Sequence, residues 1–348
     1  MMDALTKIAV TAMVVVGGSQ AGHKAPKTAV EVVVKLTLGR PAQVGTVAVI
    51  PIESTVPLAR DQYLTLAEAT KLGVIEIVEM PGQEEVNSLE VRNKSNLPIL
   101  LFAGELVLGG KQDRIVAKDS IVPAHERRDV PVFCVEHGRW DGKPVFQSAD
   151  TLVSDSVRSV ALQSADQTKV WAKVAASNAT VAASPATGTI RGTIYDPKIK
   201  AASDKLLAVL NSKFVLTPRT VGVICWIDGK IESADIYANP SLFKQSRSKL
   251  FHSYALDAQL ASKPKTIAVD LKKCDAFLKN IASARRKASE QSRFGRAYMI
   301  KDKGVEGFES GNVQYSGGLA PPKTMGGAPA ASGFGHGTYK PGSDKGGN

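Results

Sequence analysis

Cysteine is scarce in this chain of 348 residues: Cys134, Cys225 and Cys274 are its whole complement. None forms a CxxC pair, which excludes a zinc knuckle and a thioredoxin-type redox motif. An odd number leaves at least one thiol unpaired and permits one disulfide, whose partners the spacing does not choose. Cys134 and Cys225 lie in apolar, strand-like runs, where a free Cys behaves as a small hydrophobe. Histidine is also sparse, at five residues. His125, His137 and His252 lack metal-ligand spacing, and neither HExxH nor an EF-hand loop occurs, so no metal or other cofactor is expected. There is no GxSxG nucleophile elbow. Aromatic residues make up 6%, and no basic run is interleaved with them as single-strand nucleic-acid binding requires. The apolar run at the amino terminus is too short to span a bilayer comfortably, and no other run is long enough to cross one. Internal repeats are absent.

A 43% hydrophobic and 22% charged composition is that of a globular protein. The formal net charge of +11 favours anionic surroundings, although the scatter of the basic residues also fits a solvated surface. Met1 to Lys7 is weakly positive apart from Asp3. Ile8 to Val16 is apolar, and Ser19 and Ala21 sit where signal peptidase cuts. The pattern predicts a signal peptide over residues 1–21 and export to the periplasm or beyond. The alternative is a buried first strand in a cytoplasmic protein. From Gly317 onward Gly, Pro, Ala and Ser dominate, which predicts a disordered tail over 317–348. Residues 22–316 then form one domain.

Hydrophobic periodicity outlines that domain. Alternation over Val30 to Leu38, apolar runs at Thr46 to Ile52 and Val74 to Met80, and short runs from Leu89 to Val135 predict strands spaced as in an antiparallel sandwich. Thr65-Leu66-Ala67-Glu68 fits a capping box opening a short helix, which Gly73 ends. After about Asp150 the pattern turns helical, over Ser156 to Ala176, Pro197 to Leu210, Ser241 to Leu260 and Leu271 to Ser289. A second capping box is read at Ser164–Gln167. Val221 to Ile227 is a buried strand turned by Asp228-Gly229, and Ala297 to Ile300 and Val313 to Tyr315 are candidate closing strands. The expected fold is α+β: a β-rich, sandwich-like amino-terminal half, to about residue 150, packed with a helix-rich carboxy-terminal half.

Chemistry concentrates between Leu97 and Trp140. Gly109-Gly110-Lys111-Gln112-Asp113-Arg114 is a charged turn between apolar runs. A Walker loop would need Gly where Glu105 stands and Ser or Thr where Gln112 stands, so the turn is not one. Adjacent glycines still let backbone N–H groups approach an anion, with Lys111 and Arg114 as further donors; the alternative is a solvated hairpin. In Cys134-Val135-Glu136-His137-Gly138-Arg139-Trp140, Glu136 and Arg139 would form a bidentate pair or hold a ligand. Trp140 would stack on a planar ligand or close a core edge. Trp226, Asp235, Tyr237 and Phe243 read as packing between the two halves.

Gly104-Glu105, the Gly109–Arg114 turn, Cys134-Val135-Glu136 and Gly138-Arg139-Trp140 together resemble the ARG-and-rhodanese-phosphatase-superfamily-associated protein domain, a bacterial family of unestablished biochemical function. The resemblance continues through Tyr63–Leu66, Val74–Glu79, Gln167–Trp171, Val221–Gly229 and Leu242–Ala258, roughly from Val30 to Tyr315. It implies an α+β domain. The family's name records an association with ADP-ribosylglycohydrolase and rhodanese-phosphatase domains, which implies a link to NAD or ADP-ribose metabolism. The shared polar set is Glu105, Lys111, Gln112, Arg114, Glu136, Arg139 and Trp140. Asp113 and His137 depart from the Asn and Gln common at those positions.

Three functional readings follow. In the first, the two turns converge on a small anionic or nucleotide-like ligand: Lys111 and Arg114 hold negative charge, Gln112 gives polar specificity and Trp140 stacks. In the second, the chain is an exported structural or surface-interaction module whose motif residues are internal ion pairs. In the third, it is a hydrolase or transferase with Glu105 or Glu136 as general base.

Overall fold

The computed structural model describes residues 36–56, 58, 62–80, 87–261, 266–292, 295–311 and 334–342. The signal-like segment, the linker after it, the start of the first expected strand, Val313 to Tyr315 and the tail apart from 334–342 lie outside the described residues.

Among the described residues up to 152 the regular elements are strands apart from one short helix: β1 (Leu36–Leu38), β2 (Ala42–Val44), β3 (Val47–Ser54) and β4 (Leu64–Thr65), then the short helix α1 (Leu66–Lys71), then β5 (Ile75–Glu79), β6 (Ser88–Asn93), β7 (Ile99–Leu101), β8 (Glu105–Gly109), β9 (Arg114–Val116), β10 (Ser120–Val122), β11 (Arg127–Cys134) and β12 (Phe146–Leu152). Helices follow: α2 (Asp155–Ser164), α3 (Gln167–Thr180), α4 (Arg191–Ile194) and α5 (Pro197–Lys213). A hairpin, β13 (Thr220–Ile227) and β14 (Lys230–Tyr237), leads to α6 (Pro240–Leu260) and α7 (Leu271–Ser283). The chain closes with β15 (Arg286–Ser292), β16 (Gly295–Asp302), β17 (Val305–Gly311) and β18 (Phe334–Pro341). The fold is thus α+β, and among the described strands pairing is antiparallel except between β4 and β7.

Three sheets are built from these strands. The largest runs β1-β3-β13-β14-β18-β17-β16-β15, with β2 also on β3. A six-stranded sheet runs β12-β8-β9-β11-β6-β5, and a three-stranded one β10-β7-β4. Side chains alternate across a strand, and that period assigns each face to a core. Leu100 and Phe102 join the core of the large sheet and α6. Ile99 and Leu101, between and beside them, join the core shared with the six-stranded sheet. On the six-stranded sheet Val107, Val116 and Val132 face that same core, while Leu106, Ile115 and Phe133 face α2 and α3. A fully buried side chain of this size contributes about 1.5–3 kcal/mol.

Local signals hold where they were strong. Thr65 caps α1 in a reciprocal capping box with Glu68, and Asp228 and Gly229 both take the positive φ of a tight hairpin. Asn239 caps α6, accepting from Leu242 N, with Pro240 in its first turn.

Several expectations need correction. The carboxy-terminal part is not simply helical: six strands interleave with its helices, and β13 pairs with β3 from the opposite end of the chain. The helix expected over Ser156 to Ala176 breaks at Ala165, φ +48°. Asp166, not Ser164, caps the second piece by accepting from Thr168 N and Lys169 N. Leu271 to Ser289 stops being helix at Ser283, because Arg286 is drawn to Glu309 of β17 and its strand becomes a sheet edge. Phe334–Pro341 lies inside the segment read as disordered, yet it is an inner strand between β14 and β17 with Phe334 and Tyr339 buried. Its low aliphatic content hid it; backbone pairing and buried polar groups hold it instead. All three cysteines are buried free thiols. No helix among the described residues is long and apolar enough to cross a membrane.

Candidate functional site

The two motif turns are neighbours. Arg139 crosses between them: Nη1 donates to Gly110 O at 2.7 Å, Nη2 reaches Asp113 Oδ1 at 3.3 Å, and Nε donates to Glu136 Oε2 at 2.9 Å. Gln112 Nε2 donates to His137 O, and Asp113 N to Glu136 Oε2. Asp113, fully buried, is the hub. Beyond Arg139 it accepts from Gly109 N and, bidentately, from Arg191 Nε and Nη2 at 2.6 and 2.8 Å. Thr187 Oγ1 donates to the other oxygen of Glu136. Burial pushes the Glu136 carboxyl up, but the hydrogen bonds from Arg139, Thr187 and Asp113 N bring it below the usual range.

These groups face inward, against the expectation that they point outward. Arg114 is 1% exposed and donates to the Gln112 carbonyl at 2.7 Å; burial lowers its pKa. Gly110 serves packing rather than an anion: a Cβ there would lie 2.1 Å from the Phe146 ring, and Lys111 N donates to Glu79 Oε1. Gln167, from the resembling set, clamps the Cys134 backbone through both its amide atoms, each at 2.8 Å. Of the seven candidates, Lys111 and Trp140 (58% exposed) remain at the surface, Gln112, Arg114, Glu136 and Arg139 form the brace, and Glu105 lies elsewhere. Arg191, at the start of α4, and Thr187, just before that helix, complete the brace from a distant segment that carries no sequence signal.

Glu105 lies outside the turns, paired with Lys249, a residue that lines a separate cleft. It is 1% exposed, accepts from Phe102 N at 2.9 Å, and forms an ion pair with Lys249 of α6. Burial raises the Glu105 pKa, outweighing the ammonium beside it. Lys249 also lines a cavity of about 540 Å³, within the roughly 300–1,000 Å³ of small-molecule sites. One wall is a helix face, since Gln245, Ser248, Lys249 and His252 recur at three- and four-residue spacing on α6. Lys200, Asp204 and Leu207 of α5 form the next wall, with Ile194 and Tyr195 at the end of α4. Opposite lies the start of α1 with Glu68.

The remaining wall is irregular by construction. β12 pairs Ser148 with Val107 and Leu152 with Glu105, so three residues bulge out opposite one. All three, Ala149, Asp150 and Thr151, line the cleft, and Asp150 takes φ +49°. A non-glycine residue held there is strained, and such strain gathers at functional sites. Thr151 Oγ1 lies 3.1 Å from His252 Nδ1, and burial lowers the His252 pKa. The spacing of Lys249 and His252 on one helix face was legible in the sequence; the bulge opposite them was not.

Behind the cleft a chain of buried ionic groups runs to the carboxy-terminal strand. Ala103 N donates to Asp119 Oδ1, and Asp119 Oδ2 meets His336 Nδ1 at 2.7 Å. His336 Nε2 lies 3.2 Å from Asp235 Oδ1, an ion contact off the hydrogen-bond axis. Arg158 grips Asp235 with two bonds of 2.9 Å, and Tyr254 Oη donates to Asp235 at 2.5 Å. Arg158 also pairs with Asp155, which binds Lys340 at 2.8 Å. Gly104, φ +85°, lets this pass: a Cβ there would press on the Arg158 side chain at 3.0 Å.

An α+β fold with mostly antiparallel sheets, two motif turns locked by one arginine, and a polar cleft over a buried Lys–Glu pair define the class of this protein. The family model of the ARG and Rhodanese-Phosphatase-superfamily-associated Protein domain matches residues 35–320. The chain belongs to that family. Comparisons with curated proteins and with solved structures find no significant match.

Proposed function

We propose that this protein binds a small, nucleotide-like ligand, and that its site is the cleft above Lys249 rather than the surface of the two motif turns. The observation that carries this is the β12 bulge: three residues, one of them strained, turn toward a cavity that holds Lys249 and His252. Strain of this kind persists only where surrounding structure maintains it. The motif contributes Glu105, which holds Lys249 in place from below. Export directed by residues 1–21 belongs to the same proposal, and the mass of the mature chain tests it.

A second reading keeps the ligand at the turns, because Lys111 and Trp140 are exposed there. Calorimetry on the full chain with ADP-ribose, NAD and inorganic phosphate separates the two. Heat lost in Tyr195→Ala and kept in a Lys111→Ala, Trp140→Ala double variant supports the cleft. The reverse pattern supports the turns. No heat with any of the three leaves the turns as an internal brace and the chain as an interaction module, the role that the inward ion pairs favour.

A further inference from the structure

The groups that line the cleft are mutually matched, and this limits what can bind. Three carboxylates, Glu68, Asp150 and Asp204, face two ammonium groups, Lys200 and Lys249. Both ammonium groups are already engaged. Lys200 binds Asp204 at 2.5 Å, and Lys249 binds Glu105 and lies 3.8 Å from Asp150. Because burial lowers its pKa, His252 adds little positive charge at neutral pH. An entering phosphate would have to share each ammonium with the carboxylate that already neutralises it, and would sit among three like-charged carboxylates.

A hydroxyl group has neither difficulty. It donates once and accepts twice, so it can donate to Asp150 or Asp204 and accept from the neighbouring ammonium without breaking a pair. Ser248 and Gln245 line the same wall and offer neutral donors and acceptors. Tyr195, 46% exposed, stands at the rim with Ile194 and Leu207 behind it. An exposed aromatic ring beside an apolar patch takes up the C–H face of a flat, polar ring.

We infer that the cleft recognises an uncharged, hydroxyl-rich sugar ring, free or as the sugar moiety of a larger ligand, stacked on Tyr195 and hydrogen-bonded to Asp150, Asp204 and Ser248. This rests on the cleft being the ligand site and narrows what that site reads: hydroxyls rather than phosphate.

Ligand-observed saturation-transfer NMR on the full chain tests it, with D-ribose, D-glucose and adenosine as neutral probes and inorganic phosphate and AMP as charged ones. At least one neutral probe should give a signal that survives 0.5 M NaCl and falls at least five-fold in Tyr195→Ala and in Asp204→Asn. Adenosine and AMP should bind within about three-fold of each other. Salt-sensitive binding of phosphate or AMP, with the neutral probes silent, overturns the sugar reading while leaving the cleft as a site. A sugar signal unchanged in both variants places the sugar elsewhere and overturns the inference. Silence from all five probes overturns it as well. The cleft itself then stands or falls on the calorimetry above.

Discussion

His336 ties the last strand into the molecule, and its ionisation makes stability fall in mild alkali. Burial alone would lower its pKa, but Asp119 at 2.7 Å and Asp235 at 3.2 Å raise it to about 9. In the unfolded chain a histidine titrates near 6.5. The folded state therefore holds the proton more tightly. The stabilisation is fully present below about pH 6.5 and is lost as the pH rises through about 9. Each pKa unit is worth about 1.4 kcal/mol, so the loss is about 3 kcal/mol. The group is fully buried, so solvent screening does not erode this figure. Urea unfolding at pH 6.5, 7.5, 8.5 and 9.5 should show the midpoint falling by about 1 M, given a slope of about 2–3 kcal/mol/M. His336→Gln removes the titrating charge. It should be less stable than the parent at pH 6.5 and nearly level above it. Parallel curves for the two proteins would refute the reasoning, because the alkaline loss would then come from another group.

The brace gives the next contrast. Arg139→Ala leaves Asp113 and Glu136 short of a cation and should cost about 3 kcal/mol, whereas Trp140→Ala, at an exposed position, should stay within about 0.5 kcal/mol; chemical denaturation of both variants checks this. Gly110→Ala drives a methyl group into the Phe146 ring, so a loss of about 1–3 kcal/mol is expected, read as a lower melting temperature. The three thiols should stay unreactive to a thiol reagent until the chain unfolds, since burial pushes Cys134 and Cys225 up and Cys274 up to about 12; one equivalent of fast labelling in the native protein would contradict this.

Strands with clean alternation, caps with a specific partner, and the Asp228-Gly229 hairpin were readable because each is a local signal. The adjacency of the two motif turns was no local signal; it was an expectation of the ligand-binding reading, and Arg139 bridging Gly110, Asp113 and Glu136 bears it out. The inward direction of their charges was not readable, because Arg191 and Thr187 reach Glu136 and Asp113 from fifty or more residues away. The same holds for the cleft: helix spacing puts Lys249 and His252 on one face, but only the pairing of β12 with β8 creates the bulge opposite. Phe334–Pro341 was missed because its glycines and polar residues resemble those of a tail, and what orders it is a gap between β14 and β17.

The sequence by itself determined the α+β class, most helix and strand positions, the free or paired options for three cysteines, and the family. Those follow from periodicity, capping chemistry and motif spacing, which act over a few residues. Tertiary structure alone decided which strands are partners, that Glu105 leaves its motif to hold Lys249, and that His336 and Lys340 neutralise Asp119, Asp235 and Asp155. Charges buried away from water need a partner at hydrogen-bond distance, and in this chain those partners come from segments far apart in sequence.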